Sequence, residues 1–290
     1  MAKYVLENDV LRAEFRDQSA ELISLIKKDN GQEYLWNGGK EFWGWSSPVL
    51  FPIVGVLKDN SYTYKDQKYT MEKHGFARRT VFHLDLYTKD ELWMSMEDSE
   101  ETYKMYPFHF KLELGFRLEK NTLKATWRVT NKDTSEMYFS IGGHPAVRCT
   151  MPKYDGYLGF EGDKESYDYL MVDPVKGGIG TKVFKFPMDN GLHKITKGMF
   201  DHDALIFTDS QVKTAYLAGP DKKPILKMHT NAPLLAFWSP VEDAPFICFE
   251  PWYGMGDAGD FKGTLEERLY EQHLDGKGVF EDSYVIEVVE

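Results

Sequence analysis

Two stretches of the sequence place a titratable side chain directly before a proline. In Ser140-Ile141-Gly142-Gly143-His144-Pro145 an alternating strand runs into two glycines, a histidine and a proline. In Phe246-Ile247-Cys248-Phe249-Glu250-Pro251-Trp252-Tyr253-Gly254 an apolar run carries a glutamate in the same position. Proline disfavours the helical region for the residue before it, so His144 and Glu250 are each held extended. An imidazole so fixed can donate and accept a proton near neutral pH. A carboxylate where an apolar strand leaves the core is costly unless paired or used. Trp252 and Tyr253 add aromatic faces suited to the apolar face of a sugar. Each stretch also admits a plain reading: a satisfied histidine in a glycine-rich turn, and an acid that accepts backbone hydrogen bonds at a strand end.

A third stretch, Lys73-His74-Gly75-Phe76-Ala77-Arg78-Arg79, sets His74 and Arg78 around a glycine turn just before a strand. A guanidinium fork and an imidazole suit hydroxyls, carboxylates or phosphates; an ordinary basic loop is the alternative. Asp201-His202-Asp203, ahead of the apolar run from Ala204, reads as a turn with Asp203 free to face a ligand. Gly254-Met255-Gly256-Asp257-Ala258-Gly259 fits G-x-G-x-x-G, but that fingerprint needs an immediate helix in a βαβ surround. Phe261-Lys262-Gly263 interrupts any such helix. No P-loop, G-x-S-x-G elbow or His/Cys metal spacing is present, so no metal is expected.

The elements that must position these groups read as strands. Leu112, Leu114, Phe116 and Leu118 alternate with Lys111, Glu113, Gly115 and Arg117; after the turn at 119–122, Leu123, Ala125, Trp127 and Val129 alternate again. One apolar and one polar face per strand is the pattern of an antiparallel sheet covered on one side. Short apolar runs continue to Tyr284–Val289, separated by turn residues, and the spacing predicts a helix only over Thr264–Leu274. Many short strands without intervening helices predict an all-β antiparallel sandwich. Residues 1–290 read as a single domain.

Of the 290 residues, 42% are hydrophobic and 15% aromatic, ample for a large core. A net charge of −11 opposes a nucleic-acid footprint, which needs a basic face. The two cysteines, Cys149 and Cys248, suit a reduced compartment. No apolar signal core or membrane-span length occurs, so a soluble, cytoplasmic protein without a membrane partner is expected.

Together, Leu50-Phe51-Pro52-Ile53-Val54-Gly55, His74-Gly75-Phe76-Ala77-Arg78, Gly142-Gly143-His144-Pro145 and Phe249-Glu250-Pro251-Trp252 resemble the aldose 1-epimerase (galactose mutarotase) family, and its LacX-like branch most closely. The resemblance implies a β-supersandwich with a sugar site on one sheet, and anomer interconversion of a hexose without a cofactor. It implies His144 as general acid, Glu250 as general base, and His74, Arg78, Asp203 and Trp252 as substrate-binding residues. One departure stands out. Where galactose mutarotases carry an early arginine after a glycine, Val56 follows Gly55, and Arg78 is the candidate to take its place. Two other readings are a hexose-6-phosphate 1-epimerase, with Lys73, Arg78 and Arg79 receiving the phosphate, and a sugar-binding protein without turnover.

Overall fold

Strand alternation decides the layering. In a computed structural model describing residues 1–240 and 243–289, almost every segment of regular structure is a strand, and every strand pairing is antiparallel. A nine-stranded sheet runs from Leu192–Lys194 at one edge through Tyr157–Phe160, Thr214–Ala218, Pro224–Thr230, Val279–Val288, Thr122–Asn131, Phe110–Glu119 and Glu91–Glu97 to His83–Tyr87. The hairpin legible in the sequence supplies two of its inner strands: Leu112 lies opposite Val129 and Leu118 opposite Leu123, across a two-residue turn at Lys120-Asn121. A second, six-stranded sheet is ordered Leu205–Phe207, Leu234–Trp238, Phe246–Tyr253, Ile141–Gly143 and Val49–Leu50, with Ala146–Arg148 also paired to Phe246–Tyr253. A four-stranded sheet forms from the first 33 residues.

The two faces of the six-stranded sheet differ. Leu205, Phe207, Leu235, Phe237, Ile247 and Phe249 point to one side and join a core that also holds Leu112, Leu158, Leu217 and Ile286 of the nine-stranded sheet. Burying each such side chain contributes about 1.5–3 kcal/mol. The alternate residues, Ile206, Leu234, Ala236, Cys248 and Trp252, point the other way into smaller apolar clusters. That second face carries the candidate site. Among the described residues no helix is long and apolar enough to cross a membrane.

Three expectations are corrected. Thr264–Leu274 is not a helix: Leu265–Glu267 makes one 3-10 turn, and Gln272–Leu274 is a strand paired with Met137–Phe139. Leu265 is buried but Leu269 is 64% exposed, so the two leucines form no common apolar stripe. Among the described residues the one α-helix, Glu100–Met105, is capped by Ser99 and buries nothing. The strand leading to His144 is broken at Ser140, whose amide donates to the Pro52 carbonyl at 2.7 Å, so its two parts serve different sheets. Glu250 is not at a strand end; Phe246–Tyr253 continues three residues past it.

Candidate active site

Register brings the histidine and the glutamate together. Phe246–Tyr253 is flanked on one side by two short strands, with Gly142 opposite Trp252 and Ala146 opposite Cys248. The same register carries through the interruption, where the Phe249 amide donates to the Pro145 carbonyl at 3.0 Å. His144 therefore faces Glu250, and residues opposed in an antiparallel pair share a face. Pro145 lacks an N–H and cannot extend the ladder. Gly142 is required because a Cβ there would lie 2.7 Å from the Trp252 ring. On the other flank Ala236 is opposite Glu250, and its small side chain leaves room above the carboxylate.

His144 Nε2 and Glu250 Oε2 are 3.1 Å apart, with the residues only 6% and 1% exposed. The contact is not aligned as a hydrogen bond. Glu250 Oε2 and His144 Nδ1 are both buried without a partner, as are Trp252 Nε1 and Arg78 Nε. Such groups are rare in folded proteins and expensive to leave unmade. Four of them lie at one cavity of about 270 Å³, close to the lower end for small-molecule sites. The His144 ring lies over Trp43, centroids 4.7 Å apart, and meets His74 and Trp238 edge-on at 5.7 Å.

His74 is held in the left-handed region at φ +66 by backbone bonds on both sides: its amide donates to Gly55 at 2.9 Å and its carbonyl accepts from Phe51 at 3.3 Å. The Gly55 amide in turn donates to His74 Nδ1 at 3.1 Å. With Nδ1 accepting, the neutral ring carries its proton on Nε2, as a donor. Arg78 ends in the same cavity wall from the 3-10 turn Ala77–Arg79. Lys73 and Asp203 make a rim ion pair at 3.6 Å, and Asp203, at φ +69, also accepts from the Ala204 amide. Arg79 is not in the wall; it pairs with Glu72 at 2.9 Å.

Electrostatics set the proton in the empty site. Burial, aided by Lys73 and Arg78, pushes the His144 imidazolium down to about 3, and burial with the neighbouring His144 holds His74 well below its usual value. Burial also raises the Glu250 carboxyl well above the ordinary carboxylate range, against the pull of Lys73. Burial thus leaves both imidazoles uncharged at neutral pH and, within the pair, favours the proton on the carboxyl.

All six residues singled out from the sequence, His74, Arg78, His144, Asp203, Glu250 and Trp252, line this cavity. Sequence reasoning missed Trp43, Trp238 and Asp257, which line it too. Trp43 lies in an aromatic-rich stretch whose spacing carries no signal, and Asp257 sits inside the discarded glycine motif. That motif is a loop, and it abuts Gly55: a Cβ on Gly55 would fall 2.7 Å from Gly256.

The aldose 1-epimerase family model matches residues 2–260. The plasmid-borne protein LacX of Lactococcus lactis subsp. lactis is 27% identical over 274 residues, 91% of each chain. A galactose mutarotase related enzyme from Lactobacillus acidophilus superimposes with a TM-score of 0.93 at 28% identity, covering 100% of this chain and 98% of that one. A galactose mutarotase-like protein from Lactobacillus casei ATCC 334 gives 0.92 at 27% identity, over 99% and 100%. The all-β antiparallel architecture is thus that of the galactose mutarotase-like folds, and the chain belongs to the aldose 1-epimerase family of isomerases.

Proposed function

We propose that this enzyme interconverts the α and β anomers of a hexose, with His144 and Glu250 as the acid–base pair and residues 1–290 acting as one unit. The observation that carries this reading is the buried pair itself, 3.1 Å apart at the floor of a hexose-sized cavity. A binding site needs neither group; ring opening needs both. The productive state has the proton on His144 and none on Glu250, one transfer across that contact from the resting state. The Lys73 ammonium stabilises the carboxylate of that state and opposes its imidazolium.

From there Glu250 takes the proton of the anomeric hydroxyl while His144 gives its proton to the ring oxygen. The C1–O5 bond breaks and a C1 carbonyl forms, leaving neutral His144 and protonated Glu250. Rotation about C1–C2 presents the other carbonyl face. On closure Glu250 returns its proton to the carbonyl oxygen as His144 recovers its own from the attacking hydroxyl. His74 Nε2–H and Arg78 supply donors to the sugar, Asp203 an acceptor, and Trp252 an apolar face. Each proton-transfer group contributes about 10²–10⁴-fold. His144→Asn and Glu250→Gln are therefore expected to fold and to slow anomer exchange about 10²–10⁴-fold, measured by polarimetry or NMR saturation transfer. An unchanged rate in either variant removes that residue from the mechanism.

A phosphorylated hexose is the second reading, favoured by Arg78 and Lys73 in the wall and by the unpartnered Arg78 Nε. Arg79, bound to Glu72, adds nothing to it. Comparing exchange rates of glucose, galactose and their 6-phosphates separates the two, and saturable binding with no acceleration of any of them would identify a non-catalytic sugar-binding protein.

A further inference from the structure

The acid–base pair has a third neighbour that the proposed reaction does not use. Cys248 and Glu250 are two residues apart on one strand and so share its face. His144 is opposite Glu250, and Ala146, too small to intervene, is opposite Cys248. One imidazole nitrogen, the thiol sulfur and one carboxylate oxygen all lie within 4.8 Å of one another. All three residues are buried, Cys248 fully, and its thiol is free. One oxygen of the cluster, Glu250 Oε2, 3.1 Å from His144 Nε2, hydrogen-bonds to nothing. Among the described residues, the other cluster of metal-ligating types, Glu136, His273 and Asp275, is wholly exposed and has no such enclosure.

A tetrahedral zinc ion takes nitrogen and oxygen at about 2.0–2.1 Å and sulfur at about 2.3 Å, which spaces its ligand atoms about 3.3–3.8 Å apart. His144 and Glu250, 3.1 Å apart, already meet that spacing within a few tenths of an ångström, and the thiol needs a movement of at most about 1 Å. Thiolate, imidazole and carboxylate together select Zn²⁺ over Mg²⁺ or Ca²⁺. His144 and Glu250 line the cavity, so a fourth position opens to water on that side. We propose that His144, Cys248 and Glu250 form a site for a thiophilic divalent cation, Zn²⁺ by donor set, which switches the enzyme off. The inhibitory half rests on the acid–base reading above: the bound ion occupies the lone pairs that would move protons. Binding displaces the protons of the thiol and carboxyl to solvent, and no oxidation or reduction is involved.

The test uses the full chain stripped of metal and titrated with Co²⁺, then with Zn²⁺. One equivalent of Co²⁺ is expected to produce a near-ultraviolet thiolate-to-cobalt absorption band, which Zn²⁺ removes. Zn²⁺ is expected to slow anomer exchange, with reversal by EDTA. Cys248→Ala and Cys248→Ser should keep the metal-free rate, lose the band and shift the Zn²⁺ midpoint upward by about 10–100-fold. His144→Asn, read by the band alone, deletes a second ligand should the cysteine variants not fold. No band in the parent protein, or equal Zn²⁺ inhibition in both cysteine variants, overturns the site. If the parent shows no anomer exchange at all, the acid–base reading falls while the cobalt titration still decides the metal site.

Discussion

His144 ties the chemistry of the site to the acid stability of the molecule. Its unfolded imidazole takes a proton near its usual 6.5, whereas the buried one does not until about 3. Below 6.5 the unfolded chain thus binds more protons, and the stability present above 6.5 is lost as the pH falls toward 3. At pH 5 this one group costs about 2 kcal/mol relative to pH 7. His144→Gln is expected to lose that acid sensitivity, which urea denaturation at the two pH values measures; an unaltered difference between them would refute the assignment. Glu250 acts with the opposite sign. Its folded carboxyl is raised, so the unfolded chain gives up this proton first and stability drains away as the pH rises above 4.5. Glu250→Gln should therefore melt above the parent protein at pH 8 while being the slower enzyme, and a lower melting temperature would contradict the buried, uncharged carboxyl.

At the scale of elements, the strand Phe246–Tyr253 carries Glu250 and Trp252, whereas a short turn aims His74. His74 depends on the turn at Gly75, where φ is +67 and a Cβ would fall 2.3 Å from the Phe51 carbonyl oxygen. The nearest atoms are all backbone of Phe51 and Pro52, which leaves nothing flexible to yield. Gly75→Ala is expected to cost about 2–4 kcal/mol and, if His74 holds substrate as proposed, to raise KM for the sugar more than it lowers kcat. Denaturation with steady-state kinetics tests this; parent-like stability and KM would mean that the turn does not place His74. The strands behave otherwise. Their alternation was legible in residues 110–131 because each side chain there sees only a face, and a face is a period-two property. The break at Ser140 was not legible, because two separate partner strands impose it.

At the scale of the whole molecule, Arg268 joins distant parts of the chain behind the cavity. Its guanidinium reaches Asp257 at 2.8 Å, Glu271 at 2.6 Å and the Met255 carbonyl at 2.7 Å, all out of solvent. Glu271 also accepts from Ser140 Oγ at 2.6 Å, and burial pushes its carboxyl up to about 7 despite Arg268. Asp257 lines the cavity, and its amide donates to Val56 at 2.9 Å. This cluster drew Arg268 out of the expected helix: beyond the 3-10 turn its backbone is extended so that the side chain can turn inward. Arg268→Ala leaves two carboxylates buried without their cation, at an expected cost of about 3–5 kcal/mol. A change under about 0.5 kcal/mol in urea denaturation, the range of an ordinary surface substitution, would rule the network out as a support of the site.

Local chemistry was enough to read strand alternation, the prolines that hold His144 and Glu250 extended, and the blocks that resemble the aldose 1-epimerases, because these depend on side-chain type and near neighbours. Tertiary structure alone decided that His144 stands opposite Glu250, that Cys248 and Trp43 join them, that Arg79 turns away while Arg78 stays, and which partner of the pair burial favours for the proton. Those outcomes depend on cross-strand register and on the removal of water, and both arise only when segments far apart in the chain are packed together.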